Sequence, residues 1–288
     1  MIDSIKKEVL EYINYNDKFN KYLTTINNIT KISKGNIIFV ILHESSNINK
    51  DDEEKLHKNL DRIYKFANNL GYIFNIHLIL SPFKKSFNKN LKLPLNKFNT
   101  NTGFTYLHYA NSKNIYIFRK EEYIKVIYHE IIHHIPFIDG NFKPSNIDKL
   151  KSHFKILANN ILPNEAIVEL WATIIFLKQL SIETKKDFYE LFKEELNYSL
   201  FKSYQINKLQ QLNNGYWKDN KTQIYSYIIF KTILMYNIDK LCKIYTFPYN
   251  DDIITDFLIT NSKLPLIDVH NNSKRKPMSL CYMVNSDL

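Results

Sequence analysis

Glycine is scarce in this chain, with five among 288 residues. That excludes a Gly-rich phosphate loop, and neither GxGxxG nor GxxxxGK occurs. Cysteine is scarcer still. Cys242 and Cys281 stand far apart and match no CxxC or disulfide framework, so they read as reduced thiols in a reducing compartment. No apolar run is long enough to span a membrane. The opening residues, MIDSIKKEVLEYINYN, lack the basic stretch and apolar run of a secretory signal. The expectation is an intracellular protein with no membrane partner. Internal repeats and low-complexity linkers are absent as well.

What is present is a globular composition: 44% hydrophobic, 14% aromatic and 24% charged residues in 34.4 kDa. Such a chain can bury a sizeable core, as one large domain or as two lobes sharing an interface. Lys and Arg number 39 against 29 Asp and Glu, a net charge of +10. An anionic partner such as nucleic acid would suit that charge. The lysines are scattered, however, and no nucleic-acid motif accompanies them. The abundance of Lys, Asn, Ile, Tyr and Phe is what AT-rich codons produce, so composition alone accounts for the charge. Lys274-Arg275-Lys276 reads as a solvated run.

Along the chain, Ile5, Val9, Ile13, Phe19, Leu23 and Ile26 predict a helix over 4–25. NIIFVILHE after Gly35 and YIFNIHLIL (72–80) predict buried strands. Between them Leu56, Leu60, Ile63, Phe66 and Leu70 mark an amphipathic helix closed by Gly71. Strand, helix and strand in that order predict a right-handed parallel crossover. After a basic loop (81–102), GFTYLHY and IYIFR (115–119) predict a hairpin. A helix from about Glu121 to Ile135 follows, ended by Pro136. Beyond it the signals are almost wholly helical. The predicted class is α+β: a mixed α/β lobe over 1–140, then a helical lobe over 141–288 with a polar tail. The cleft between two such lobes is a usual place for a site.

Tyr128 to Gly140 reads YHEIIHHIPFIDG. Within it His129-Glu130-Ile131-Ile132-His133 is HExxH. Chance yields a His-acid-x-x-His in fewer than about three of a hundred chains of this composition. On a helix, positions i and i+4 lie about 40° apart around the axis, so His129 and His133 project together and can bind one Zn²⁺. Glu130 lies about 100° round from His129, placed to reach a water rather than the metal. Downstream, Asn164-Glu165-Ala166-Ile167-Val168-Glu169 opens a helix behind Pro163 and sets two carboxylates on one face. Glu165 can complete a three-ligand site. Glu169, one turn on, can accept the spare ring N–H of a zinc-bound histidine.

HExxH followed by an N-E-x-x-x-[DE] helix resembles the zincin metallopeptidases, specifically the gluzincin arrangement. The resemblance implies zinc ligands His129, His133 and Glu165, Glu130 as general base, and Glu169 as the supporting acid. It implies a zincin-like fold, with an antiparallel edge strand just before the HExxH helix (IYIFR) and a mostly helical lobe after it. It also implies a neutral oxyanion donor, for which Tyr225 and Tyr227 in TQIYSYIIFK are the candidates, with His108 behind them. An extended substrate backbone would pair with the strand around Ile115–Arg119. Two departures keep other ligand sets open. HEIIHH also satisfies H-E-x-x-x-H through His134, although i+5 lies about 140° from His129 on a regular helix. HEIIHHIPFID approximates HExxHxxGxxD, with Asp139 as third ligand, but Pro136 stands where that pattern has Gly. The expected function is zinc-dependent hydrolysis of a protein or peptide. The alternatives are a zinc hydrolase of non-peptide amides, a catalytically silent zincin-fold binding or regulatory protein, and a basic nucleic-acid-associated protein.

Overall fold

The computed structural model describes residues 1–265 apart from 15, 46–49, 86–94, 108–110, 137, 160 and 220. His108, Cys281 and the Lys274–Lys276 run lie outside the described residues. The predicted first helix is two helices, α1 (Ile2–Tyr12) and α2 (Asp17–Leu23). The break comes where Asn14 takes a left-handed φ of 57° and the Asn16 side chain accepts the Phe19 N–H at 3.0 Å, starting a new helix.

The sheet has five strands in the order β1-β2-β3-β5-β4. They are β1 (Asn28–Lys34), β2 (Ile37–His43), β3 (Ile73–Leu78), β4 (Gly103–Thr105) and β5 (Ser112–Ile117). β1 carries no continuous apolar run and shows little sequence signal. It forms because Gly35, at φ +55°, turns the chain back on β2, where a side chain would meet the Tyr64 ring. β2, β3 and β5 are mutually parallel, joined from β2 to β3 through α3 (Lys50–Ala67), as the strand-helix-strand pattern predicts. β1 and β4 are the antiparallel edges.

IYIFR is not the edge strand, since Ile115–Ile117 of β5 pair with β3 on one side and with β4 on the other. Ile115, Tyr116 and Ile117 are all buried, as befits a strand covered on both faces. The short β4 is the edge on that side.

Behind α4 (Lys97–Thr100) and the hairpin comes α5 (Tyr123–Ile132), then α6 (Pro144–Phe154), α7 (Asn164–Thr184) and α8 (Phe188–Leu212). A π-helical turn (Ser226–Phe230) leads into α9 (Lys231–Tyr236), α10 (Ile238–Leu241) and α11 (Asp251–Thr260). α1 and α2 pack with one set of sheet side chains, including Val40, Leu42 and Phe118. α3, α5 and one side of α7 pack with another, including Phe39, Ile76 and Ile117. Ala166, Ile167 and Leu170, on the other side of α7, join the helical core around Trp217 and Phe230. α7 is therefore apolar nearly all round, as a helix between two cores must be. This is an α+β protein, with one mixed sheet among the described residues. No helix among the described residues is long and apolar enough to cross a membrane.

Candidate metal centre

Every residue of α5 from Ile124 to Ile132 is buried, so its polar side chains have to find partners inside the protein. The apolar ones, Ile127 and Ile131 among them, join the sheet-side core. His129 and Glu130 are turned away from solvent with 5% and 6% of their surface exposed. α7 packs against α5 and delivers Glu165 in its first turn and Glu169 one turn later.

Three atoms converge between these helices. His129 Nε2 and His133 Nε2 are 3.1 Å apart. Glu165 Oε2 lies 3.2 Å from the first and 3.6 Å from the second. The other ring nitrogens are already engaged. His129 Nδ1 donates to Glu169 Oε2 at 3.0 Å, and His133 Nδ1 donates to Asp139 Oδ2 at 2.7 Å. An ionised carboxylate only accepts, so each Nδ1 carries a proton, and when the rings are neutral each Nε2 presents a lone pair. Two lone pairs and a carboxylate oxygen then face one another with no hydrogen between them. Glu165 Oε2 is accordingly buried without a hydrogen-bond partner. Only a cation or extra protons relieve such an arrangement.

Without a metal, protons do so. Burial pushes the His129 imidazole down, but the carboxylates of Glu165 and Glu169 outweigh it and raise the pKa. His133 is raised well above its ordinary value by Glu165 and Asp139, again against burial. Burial pushes Glu165 up, yet His133 and His129 hold it well below the usual carboxylate range. With a metal, the distances matter. Ligands roughly 2.0–2.1 Å from a tetrahedral zinc stand about 3.3 Å from one another, and the three separations here bracket that value. Two imidazoles and one carboxylate form a donor set that could hold a metal ion such as zinc.

The supporting groups are themselves held. Asn164 Nδ2 donates to Asp139 Oδ1 at 2.8 Å, and Lys125 Nζ lies 2.6 Å from Glu169 Oε1. Behind Lys125 the buried Glu122 pairs with the buried Lys85. Glu130 borders a cavity of ≈ 20 Å³ together with His129, Tyr227, Asn101 and Gly103, which is room for about one water. Burial raises the Glu130 pKa, against the pull of His129 and His133. Gly103 lets β4 lie this close to α5. A Cβ there would meet the Tyr116 carbonyl oxygen at 2.8 Å and Val126 Cγ1 at 3.1 Å.

The structure thus brings His129, Glu130, His133, Glu165, Glu169 and Tyr227 together. The Tyr227 ring stands edge-on to His129, with centroids 5.7 Å apart. Tyr225 is elsewhere. It is buried in the helical core against Trp217 and Phe230, and its hydroxyl donates to Gln210 Oε1 at 3.3 Å. Two residues apart in a helical segment, the two tyrosines face opposite ways. His134 also leaves the site, for Thr105 Oγ1 at 3.0 Å and the Phe74 ring. Asp139 orients His133 and does not join the three converging atoms.

Two neighbours escape sequence reasoning. Lys125 had one signal, a cation on an otherwise apolar helix one turn before His129. Tyr12, at the end of α1, had none. Its hydroxyl accepts from Asn101 Nδ2 at 2.6 Å, and burial and then the nearby Glu130 carboxylate raise its pKa. Comparison of the chain with known protein families, with curated proteins and with solved structures finds no match.

Proposed function

We propose that this chain is a zinc-dependent peptidase of zincin-like design, with His129, His133 and Glu165 as ligands and Glu130 as general base. The observation that carries the reading is the convergence of His129 Nε2, His133 Nε2 and Glu165 Oε2 at separations of 3.1, 3.2 and 3.6 Å. A bound zinc supplies a Lewis acid that acidifies water and polarises a carbonyl oxygen. The protein's own groups do the rest. Glu169 and Asp139 keep both imidazoles in the tautomer that offers Nε2. The Glu130 carboxylate, its basicity increased by burial, takes a proton from the attacking water as the C–O bond forms. It returns that proton to the amide nitrogen as the C–N bond breaks. Tyr227 is the candidate hydroxyl donor to the carbonyl oxygen as charge develops there. Substrate backbone would add at β4, the edge strand beside α5.

The test is cleavage of a peptide library by the zinc-loaded protein and by Glu130→Gln. The expected result is cleavage by the native chain, with turnover lower by at least about 10²-fold in the variant at unchanged zinc content. Cleavage at equal rates by both would reject Glu130 as the base. No cleavage of any peptide by zinc-loaded native protein would reject the peptidase reading.

A further inference from the structure

A second cavity, of ≈ 640 Å³, lies beside the first turn of α5, with Lys125 bordering both it and the smaller cavity at His129 and Glu130. Ile41 and His43 of β2, Leu80 just past β3 and Lys120 just past β5 border it, so it sits at the carboxyl ends of the three parallel strands. That is where open sheets with parallel strands receive ligands, because the loops leaving the strands diverge there. Its volume is in the range of small-molecule sites. Ile41, Leu56, Leu80, Ile124 and Phe176 give it an apolar floor.

The walls are cationic. α3 presents Lys55, Lys58 and Arg62, and Lys84 and Lys120 approach from the strand ends. One carboxylate, Glu183, answers both Lys58 (3.2 Å) and Arg62. Lys84 lies 3.9 Å from Glu121. Lys55 and Lys120 have no ion-pair partner among the described residues. Two acids, Asp52 and Glu122, stand on the wall among six lysine and arginine side chains, and Glu122 is engaged by Lys85. A few of the lysines that look scattered along the sequence therefore meet around one concave, partly apolar surface.

We propose that this cavity binds a small phosphate-bearing molecule, its phosphate between Lys55 and Lys120 and its apolar portion on Ile41, Leu80 and Phe176. Recognition by lysine side chains needs no Gly-rich loop, and this sequence has none. The inference does not depend on the peptidase reading.

The test is calorimetric titration of the full chain with inorganic pyrophosphate at low salt. It is repeated on Lys55→Glu/Lys120→Glu and on Lys193→Glu/Lys208→Glu, which makes the same charge change on exposed positions of α8. The native chain should bind one pyrophosphate with a dissociation constant of about 1 mM or tighter. The cavity variant should lose at least about tenfold in affinity and the α8 variant less than about twofold. Equal weakening in both variants would reduce the effect to net charge and overturn the proposal. So would the absence of saturable binding, or binding of a single-stranded DNA oligonucleotide where pyrophosphate fails. All four lysines are exposed, and matching thermal melts would confirm that the variants stay folded.

Discussion

Two groups of buried charges among the described residues differ in one respect. In the first, every charge has its opposite. Lys231 faces Glu195 at 3.3 Å, Lys125 faces Glu169, and Lys85 faces Glu122, all with nearly no exposure. In the second, His129, His133 and Glu165 point acceptors at one another. The first group is self-sufficient and explains how polar side chains survive between α5, α7, α8 and α9. The second is incomplete without a cation. Burial of charge by itself therefore does not mark a site in this molecule. An unmatched set of donors and acceptors does.

The difference is sharpest when one partner is removed from each group. Lys231→Met removes the cation that faces the buried Glu195 at 3.3 Å, and should cost about 3–5 kcal/mol in chemical denaturation, with or without zinc. Glu165→Ala removes one of three crowded acceptors. It should cost the metal-free protein less than that, while abolishing the stabilisation that zinc gives the native chain. Equal losses in both variants would erase the distinction between the two groups.

A smaller effect is expected one layer out. Asp139→Asn keeps the shape but replaces an ionic acceptor of the His133 Nδ1 proton with a neutral one. Zinc affinity should fall about 10–100-fold, read by competition with a chromogenic chelator. Unchanged affinity would remove Asp139 from the orienting role.

The smallest effect concerns pH. In the metal-free protein both imidazoles have raised pKa values, so the folded state holds their protons more tightly than the unfolded chain does. Their contribution to stability is complete below the ordinary histidine value of 6.5 and is lost as pH rises through the folded values. Zinc needs the neutral rings, so its stabilisation should grow over the same range. Melting temperatures of the metal-free protein should fall with rising pH while those of the zinc-loaded protein hold. Parallel curves would mean that zinc does not sit on these nitrogens.

Much of this site is legible in the sequence because helical periodicity is local. HExxH and N-E-x-x-x-E each put two ligating or supporting groups on one face, and the structure sets those faces together. The β2-α3-β3 crossover is readable for the same reason. What is not legible depends on contacts distant in sequence or on a single dihedral angle. Asp139 can be seen as a ligand candidate, but its place as the acceptor for His133 depends on how the chain turns after Pro136. Tyr12 reaches Asn101 only because α1 packs on the sheet. Tyr225 and Tyr227 fall on opposite faces of any helix, and only the packing of that helix decides which of them meets His129. IYIFR looks like any short apolar strand, and only pairing on both sides makes it central.

The most direct test of the account is the zinc content of protein purified without added metal, by elemental analysis, for the native chain, His133→Ala and Glu165→Ala. The account predicts about one zinc per native chain, or one taken up on reconstitution, and none retained by either variant. A native chain that takes up no zinc, or variants that keep it in full, would contradict it.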